Sequence, residues 1–433
     1  MEVLDAIAES LWAFIRDSQL SLPLNLNSCE ALKSWHPTIN LPDTQTFWHE
    51  TSEISYCRLR GMVQNQSEPE MLVGFFIEED KIYSTKFGRV PKESSSLIDS
   101  IIIQRYPIKV ISVPGERNCG EVPRVFLYDE SGETIKLNTI IDGFGIFIEG
   151  EFHMIKLINE PEVIEIPDGR SEVLSGISQS LGGDLLAAEL VLYNLLSKVQ
   201  ERRSMVGILP INLINLSDPQ IFISSISSLI RTVSLPLTIN SLSTQNFTPT
   251  KNYENDELEA SPLQIPDNSL LILDETQLSS GQLNEQGIKN LQTLAHLIER
   301  QQISYDFKYY QSEFQTDIKI ISISSGRSLL KLPLFIAVRE SASPAAVIFT
   351  TTHADYIKGC SKIAVAMSDE IIKTAQNYFV NQRQSSSISE EEFHLLLTLT
   401  RYIAQSERKT SAEVSHWEQA KTLLCGIKSR QTN

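Results

Sequence analysis

The 433-residue sequence contains 19 glycines, and none of them is followed by lysine. A glycine–lysine pair lets a phosphate-binding loop wrap a nucleotide while the ammonium group reaches the phosphate oxygens. The zinc-protease H-E-x-x-H, nucleophile-elbow G-x-S-x-G, calcium-loop and G-x-G-x-x-G patterns are absent as well. We therefore expect a protein that is not an enzyme, with no catalytic residues, no cofactor and no bound metal.

Cysteine is scarce and scattered along the chain. The five cysteines are Cys29, Cys57, Cys119, Cys360 and Cys425, an odd number without a C-x-x-C pair. This usage is typical of a reducing compartment and argues against a structural zinc site. No apolar run predicts a membrane span, and the apolar N-terminal segment carries acidic residues where a signal peptide carries basic ones. We expect a cytosolic or nuclear protein whose first residues form an amphipathic helix.

Basic residues are outnumbered, because 37 Lys and Arg face 54 Asp and Glu, for a net charge of −17. Such a chain is repelled from phosphate backbones unless it concentrates a basic patch, and no run of Lys or Arg does so. Protein partners are therefore expected before nucleic acid, with no strong direct nucleic-acid binding. The alternative is a single-stranded nucleic-acid-binding protein that uses a local patch of Arg58, Arg60, Lys86 and Arg89.

Short runs of alternating apolar and polar residues, such as "MLVGFFIEED" and "RVFLYDE", fill residues 41–160. They predict a β-rich domain with a small antiparallel β-barrel, for which an OB-like five-strand barrel is a candidate. An N-terminal helical segment is predicted before it, over residues 1–40. An acidic segment with two prolines predicts a linker at residues 161–170.

Strands and helices alternate beyond this linker, which predicts a mainly parallel α/β sheet over residues 171–345. The predicted strands are "VGILPINLINLS", "LPLTINSL", "SLLILDE" and "DIKIISISS", and "QIFISSISSLIRTVS" is a predicted helix. Residues 346–433 are predicted to be helical, in three main segments that each open on a serine able to cap the first turn.

The predicted strand "SLLILDE" carries Asp274 and Glu275 to its end, where the carboxylates of an ATPase hold Mg²⁺. Because the phosphate loop is missing, three interpretations are open. The two side chains cap the following turn, contact a partner subunit, or keep a residual Mg-nucleotide site. The capping interpretation is favoured.

Several segments resemble the MCM-binding protein family. They include "GGDLLAAELVLYNLLSKVQERR", the stretch from Phe247 to Phe314 and "SSGRSLL", with "GMVQNQ", "VPGE" and "IKLNTIIDGFGI" in the β-rich region. The resemblance runs from about Tyr56 to the C-terminus. One departure is length, since larger relatives carry a long polar insertion between "SVPGERNCGEVP" and "RVFLYDESGE".

This resemblance implies a non-enzymatic binding partner or assembly factor of the MCM replicative helicase subunits, acting in DNA replication. The roles that it implies are subunit storage or assembly, ring unloading and sister chromatid cohesion. It also implies a nuclear location, with a cytoplasmic pool left open, and an indirect association with chromatin. A divergent ATPase remains a further alternative.

A deeper resemblance connects the second region to the MCM helicase subunits, and it implies a degenerate AAA+-like sheet with a C-terminal helical lid. Glu189 stands where the helicases have the phosphate-loop lysine, and Leu190 stands where they have the metal-binding hydroxyl. Glu391 stands where the lid helix offers an arginine. The implied vestigial nucleotide site consists of Gly183, Asp184, Glu189, Asp274, Glu275, Gly326 and Glu391.

The segment "ISYDFKYYQSEF" predicts a hairpin with more aromatic surface than a solvated turn needs. Its rings either fill the protein's own core or anchor a partner, as exposed aromatic residues frequently do. Tyr305, Tyr309 and Tyr310 are the candidate partner contacts.

Overall fold

The computed structural model describes residues 2–18, 55–116, 122–128, 130–158, 165–254, 257–384 and 389–431. The chain divides into two compact units, Met1–Glu160 and Pro161–Asn433. Parts of the predicted helical segment (residues 19–40) and of the predicted linker (residues 161–164) lie outside the described residues, as do Cys29 and Cys119.

The first unit is rich in β-strands. Its elements are α1 (Glu2–Asp17), β1 (Ser55–Gln66), β2 (Glu70–Val73), β3 (Phe75–Glu78), β4 (Lys81–Ser84), β5 (Ser96–Leu97), β6 (Ile102–Ile111), β7 (Val122–Tyr128), α2 (Glu130–Thr134), β8 (Ile140–Ile148) and β9 (Glu151–Leu157).

Five of these strands close into a barrel in the order β1, β8, β9, β7, β6 and back to β1. The prediction of a small barrel is confirmed, but the prediction that it is antiparallel throughout is wrong, because β7 and β9 pair in parallel. Gly145 shows how closely the strands approach, since a Cβ atom there would lie 2.3 Å from the carbonyl oxygen of His153.

The predicted amphipathic helix is confirmed as α1. Ile7, Leu11 and Ile15 recur every four residues on one face and are buried against a cluster that includes Phe75 and Ile82. A second cluster fills the barrel with residues from alternate positions of its strands, among them Val63, Ile108, Val125, Ile141 and Phe152.

The second unit alternates helices and strands. Its elements are α3 (Arg170–Ser180), α4 (Leu185–Leu196), β10 (Ile211–Ile214), α5 (Pro219–Ser227), β11 (Thr232–Pro236), α6 (Ile239–Thr244), β12 (Thr250–Asn252), β13 (Glu257–Glu259), β14 (Leu270–Asp274), α7 (Glu285–Arg300), β15 (Gln302–Asp306), β16 (Gln311–Gln315), β17 (Lys319–Ser324), β18 (Leu334–Ala337), α8 (Thr351–Cys360), β19 (Ala366–Met367), α9 (Asp369–Gln384), α10 (Glu390–Ser406), β20 (Ser411–Ala412) and α11 (Val414–Gln431).

A five-stranded sheet in the order β11, β14, β17, β10, β18 forms the centre of this unit, and all four pairings are parallel. The predicted parallel α/β sheet is confirmed. Strands β14 and β17 are buried along their whole length, as expected for inner strands with helices on both faces. All five strands therefore end at the same edge of the sheet, which we call the carboxyl edge.

Two sequence predictions near β11 are wrong. The predicted helix from Gln220 ends at Ser227, and the predicted strand "LPLTINSL" is half helical. The hydroxyl of Thr238 accepts from the Ser241 N–H, and the hydroxyl of Ser241 accepts from the Thr238 N–H. This reciprocal cap starts α6 and overrides the apolar alternation that predicted a strand.

The C-terminal helices share the core of the sheet. Tyr356, Tyr402 and Trp417 belong to the same buried cluster as Leu190 and Ile321. The described part of residues 346–433 is thus mainly helical, as predicted, and its own separate cluster is a small one of Val365, Ile371, Ala404 and Ala412. Ser389 caps α10 as expected, whereas Ser411 lies in β20 and the last helix begins only at Val414.

A second sheet of this unit has the order β13, β12, β15, β16. Strands β12 and β13 form one hairpin, and β15 and β16 form a second one, which confirms the prediction for "ISYDFKYYQSEF". Strands β12 and β15 join the hairpins through a short parallel pairing of Thr250 with Asp306.

Candidate functional site

The carboxyl edge of the parallel sheet is the first candidate site, because ligands of open α/β sheets bind where the order of strands reverses. Here the chain order reverses between β17 and β10. The segments after β10, β14, β17 and β18 meet at this edge, and they contain several predicted site residues.

The start of α5, directly after β10, is the position where a phosphate loop would present main-chain N–H groups. Asp218 Oδ1 already accepts from the N–H groups of Gln220 and Ile221, at 3.0 and 3.2 Å. The neighbouring Ser217 N–H donates to Glu340 Oε1 at 2.9 Å. Two carboxylates therefore use the donors that a phosphate would need, and their charge repels one.

Asp274 and Glu275 are buried at the end of β14. Asp274 Oδ1 accepts from the N–H and the hydroxyl of Thr276, at 3.0 and 2.6 Å. Glu275 accepts from the Ser322 hydroxyl at 2.6 Å and from the Leu329 N–H at 2.8 Å. These are the contacts expected if the two carboxylates cap turns, because each holds a loop to a strand end.

Gly326 lies in the loop after β17, where its carbonyl accepts from the Ser324 hydroxyl at 2.6 Å. The amide of Asn212 donates to the same hydroxyl at 3.0 Å, and the Asn215 N–H donates to the Ser324 carbonyl at 3.1 Å. Hydrogen bonds therefore bridge β10 and β17 at the switch point.

Gly183 and Asp184 form the turn between α3 and α4, and both Gly182 and Gly183 have positive φ. A phosphate loop follows a strand, so the resemblance of "GGDLLAAEL" to one is not matched by its place in the fold. Asp184 instead caps α4 through the Ala187 N–H, accepts from the Arg339 N–H at 2.8 Å, and forms a buried ion pair with Arg430. It joins three segments of the chain.

Glu189 and Glu391 lie on two different helices, α4 and α10. Glu189 is half-buried on α4, where burial raises the pKa of its carboxyl and the charge of Arg170 opposes this. Arg170 donates to the Ser406 hydroxyl at 3.0 Å, at the C-terminal end of α10. Glu391 is exposed in the first turn of that helix.

Sequence reasoning missed Asp218 and Glu340. The sequence could have identified Asp218, since "SDPQIF" places an N-cap aspartate before a proline at the first helical position. No sequence pattern identifies Glu340, because its role depends on β18 lying beside β10.

The suggested cationic patch of the barrel is largely neutralised. Arg58 donates to Asp142 at 2.7 Å, and Arg60 contacts both Asp142 and Glu116. Lys86 is buried. The guanidinium of Arg89 lies 4.1 Å from the ring centre of Tyr83. This arrangement leaves little positive charge for a phosphate backbone.

The tyrosines of the second hairpin fall into two classes. Tyr305 is wholly buried, with its ring centre 4.4 Å from that of Phe314, so its prediction as a partner contact is wrong. Tyr309 and Tyr310, in the turn, are 85% and 61% exposed. Alternation along β15 explains the difference, because Ile303 and Tyr305 face inward while the turn projects beyond the sheet.

Among the residues that the structure describes, no group of three or more His, Cys, Asp and Glu is arranged to hold a metal ion. Within the same residues, no helix has the length and apolar character that a membrane crossing requires.

Comparison with known proteins adds a family to this geometry. A family model described as Mini-chromosome maintenance replisome factor matches residues 154–430. The chain is 33% identical over 282 residues to the Mini-chromosome maintenance complex-binding protein of Arabidopsis thaliana, covering 61% of this chain and 48% of that protein. The proteins of that name from Danio rerio and Homo sapiens are 32% and 31% identical, covering 60% of this chain and 44% of theirs. The chain spans about half the length of the curated relatives it matches.

Proposed function

The chain belongs to the Mini-chromosome maintenance replisome factor family, and we propose that it is a non-enzymatic binding partner of MCM complex subunits in DNA replication. The observation that carries this proposal is the family match over most of the second unit, together with relatives named for binding the MCM complex. Subunit storage or assembly, ring unloading and a part in sister chromatid cohesion are the roles proposed with it, in the nucleus and with indirect association with chromatin.

The parallel sheet is proposed to be a degenerate AAA+-like core. Support comes from a first strand β10 that lies inside the sheet between β17 and β18, a carboxylate pair at the end of the buried strand β14, and an edge of the sheet where ligands usually bind. Binding of a nucleotide there would require the displacement of Asp218 and Glu340 from the start of α5. This arrangement supports a partner protein in preference to a divergent ATPase.

The barrel is proposed to be OB-like, because its strands in chain order run 1-2-3-5-4 around the closed sheet. Many such barrels bind single-stranded nucleic acid. The pairing of Arg58 and Arg60 with Asp142, and a net charge of −17, support a structural or protein-binding barrel instead.

Tyr309 and Tyr310 are the proposed contacts with the MCM subunit. The test is a pull-down of the purified full chain with each MCM subunit in turn, using wild type, Tyr309→Ala, Tyr310→Ala and a control, Ile348→Ala. Ile348 is a similarly exposed apolar residue at 89%. We expect wild type and the control to retain a subunit equally.

Either tyrosine variant should weaken binding by about tenfold or more, the loss seen when a hot-spot aromatic is truncated. Retention of no subunit by wild type would contradict the MCM-binding proposal. Full binding by both tyrosine variants would contradict only the assignment of the contacts.

A further inference from the structure

The turn between β15 and β16 presents its two tyrosines on a fixed main chain. The Phe307 N–H donates to the Tyr310 carbonyl at 3.0 Å, and the Lys308 N–H donates to Asp306 Oδ1 at 2.7 Å. Lys308, at the apex of the turn, adopts a positive φ of 61°. The exposed rings therefore need little ordering when they bind, which lowers the entropic cost of association.

A third tyrosine from the other hairpin braces this turn. The hydroxyl of Tyr253, directly after β12, donates to the Phe307 carbonyl at 2.9 Å. Its ring meets the Tyr309 ring edge-on, with centres 5.5 Å apart. Tyr310 stacks on Phe307 at 4.9 Å. We call Tyr253, Tyr309 and Tyr310 the aromatic platform. Rigid tyrosines of this kind are typical anchors of binding surfaces.

The sheet that carries the platform has an acidic outer face. Glu259 and Asp306 both pair with Thr250, so the three side chains lie on one face. Glu313 pairs with Ser304, two residues before Asp306, and so lies on this face too. The opposite face carries the buried Tyr305. Glu254, next to Tyr253, adds a further exposed carboxylate.

Charge decides which occupant fits. A second copy of this chain would bring carboxylates against carboxylates, and a nucleic acid would bring phosphates against them. A protein with apolar and basic groups would satisfy both halves of the surface, since tyrosine rings also bind the cations of Lys and Arg.

We propose that this sheet docks a partner protein through an apolar pocket that receives the aromatic platform and is rimmed by lysine and arginine side chains. The proposal rests on the proposed function, because the partner is taken to be an MCM subunit. The platform holds the complex together, and the acidic face accelerates association with the basic rim and disfavours acidic surfaces.

The test measures association and dissociation rates of the full chain with the purified MCM complex at low and high salt. The sheet variant combines Glu254→Gln, Glu259→Gln and Glu313→Gln. The matched control removes the same charge from other exposed positions of the second unit, by Glu172→Gln, Glu370→Gln and Glu390→Gln. Unfolding curves establish that both variants fold.

We expect the sheet variant to associate about tenfold more slowly at low salt and to lose most of the salt dependence, whereas the control behaves as wild type. Tyr309→Ala should mainly raise the dissociation rate and leave the salt dependence in place.

Equal association rates for the sheet variant and the control would overturn the proposal while leaving MCM binding intact. Absence of binding by wild type would overturn the proposed function as well. A concentration-dependent dimer of wild type that Tyr309→Ala abolishes would overturn it in favour of a second copy of the chain.

Discussion

The carboxyl edge of the parallel sheet and the aromatic turn of β15 and β16 belong to one unit but have opposite surfaces. At the edge, carboxylates such as Asp184, Asp218 and Glu275 are each bound by donors of the chain itself. At the turn, Tyr309 and Tyr310 expose most of their ring surface. The difference shows that carboxylates at a sheet edge where ligands often bind can serve the fold, while the exposed rings of the turn are free for the proposed contact.

Within the β15–β16 hairpin, a buried and an exposed tyrosine can be compared directly, and we expect the largest effect on stability there. Tyr305→Ala should lower the free energy of unfolding by about 3–5 kcal/mol, because it leaves a cavity beside Phe314. Tyr309→Ala should change it by less than about 0.5 kcal/mol, because the ring is exposed. Chemical denaturation of both variants measures this, and similar losses for the two would contradict the assignment of inward and outward faces.

Asp184→Ala should destabilise the carboxyl edge. The substitution removes the cap of α4, the acceptor for the Arg339 N–H and the buried partner of Arg430. The expected loss in unfolding free energy is about 3 kcal/mol, since removing one member of a buried ion pair leaves the other uncompensated. Asp184→Asn, which keeps an acceptor oxygen, should lose clearly less. Equal stability of Asp184→Ala and wild type would show that the edge is not held in this way.

In the barrel, the buried His153 should make stability depend on pH. This histidine has no acidic partner among the described contacts. Burial, aided by the charge of Arg105, lowers the pKa of His153 from 6.5 to about 3. Between these values the unfolded chain binds the proton and the folded chain does not, so stability decreases as the pH falls below 6.5. The free energy of unfolding should drop by roughly 2 kcal/mol between pH 6.5 and 5.

Urea unfolding of the first-unit transition at several pH values measures this slope, and His153→Gln should flatten it. The Tyr128 hydroxyl lies 2.7 Å from Nδ1 of His153 and gives the glutamine amide a polar neighbour. An unchanged slope in the variant would assign the acid sensitivity to another group.

The smallest expected effect is that of ATP·Mg²⁺ on the carboxyl edge. Donors at the start of α5 are already bound to Asp218 and Glu340, so calorimetry should record no saturable heat and the midpoint of thermal unfolding should not move. A saturable heat that disappears in Asp274→Ala would contradict this and restore the ATPase alternative.

The sequence predicted helices and strands better than the contacts between distant segments. The β14 strand and the β15–β16 hairpin follow from local apolar periodicity and turn residues. The alignment of Gly183 with a phosphate loop was wrong. A glycine pair before a helix has the same local signature whether a strand or a helix precedes it. Neither the parallel pairing of β7 with β9 nor the partnership of Glu340 with Ser217 leaves a local trace.

The sequence by itself determined the absence of a glycine–lysine pair, the acidic charge, the alternation of strands and helices in the second unit and the family resemblance. These are properties of residue order and composition. Only the tertiary structure decided that Tyr305 is buried while Tyr309 is exposed, and that Asp184 joins three segments of the chain. The physical reason is that burial and ion pairing depend on which distant strands and helices become neighbours, and sequence spacing does not encode these distances.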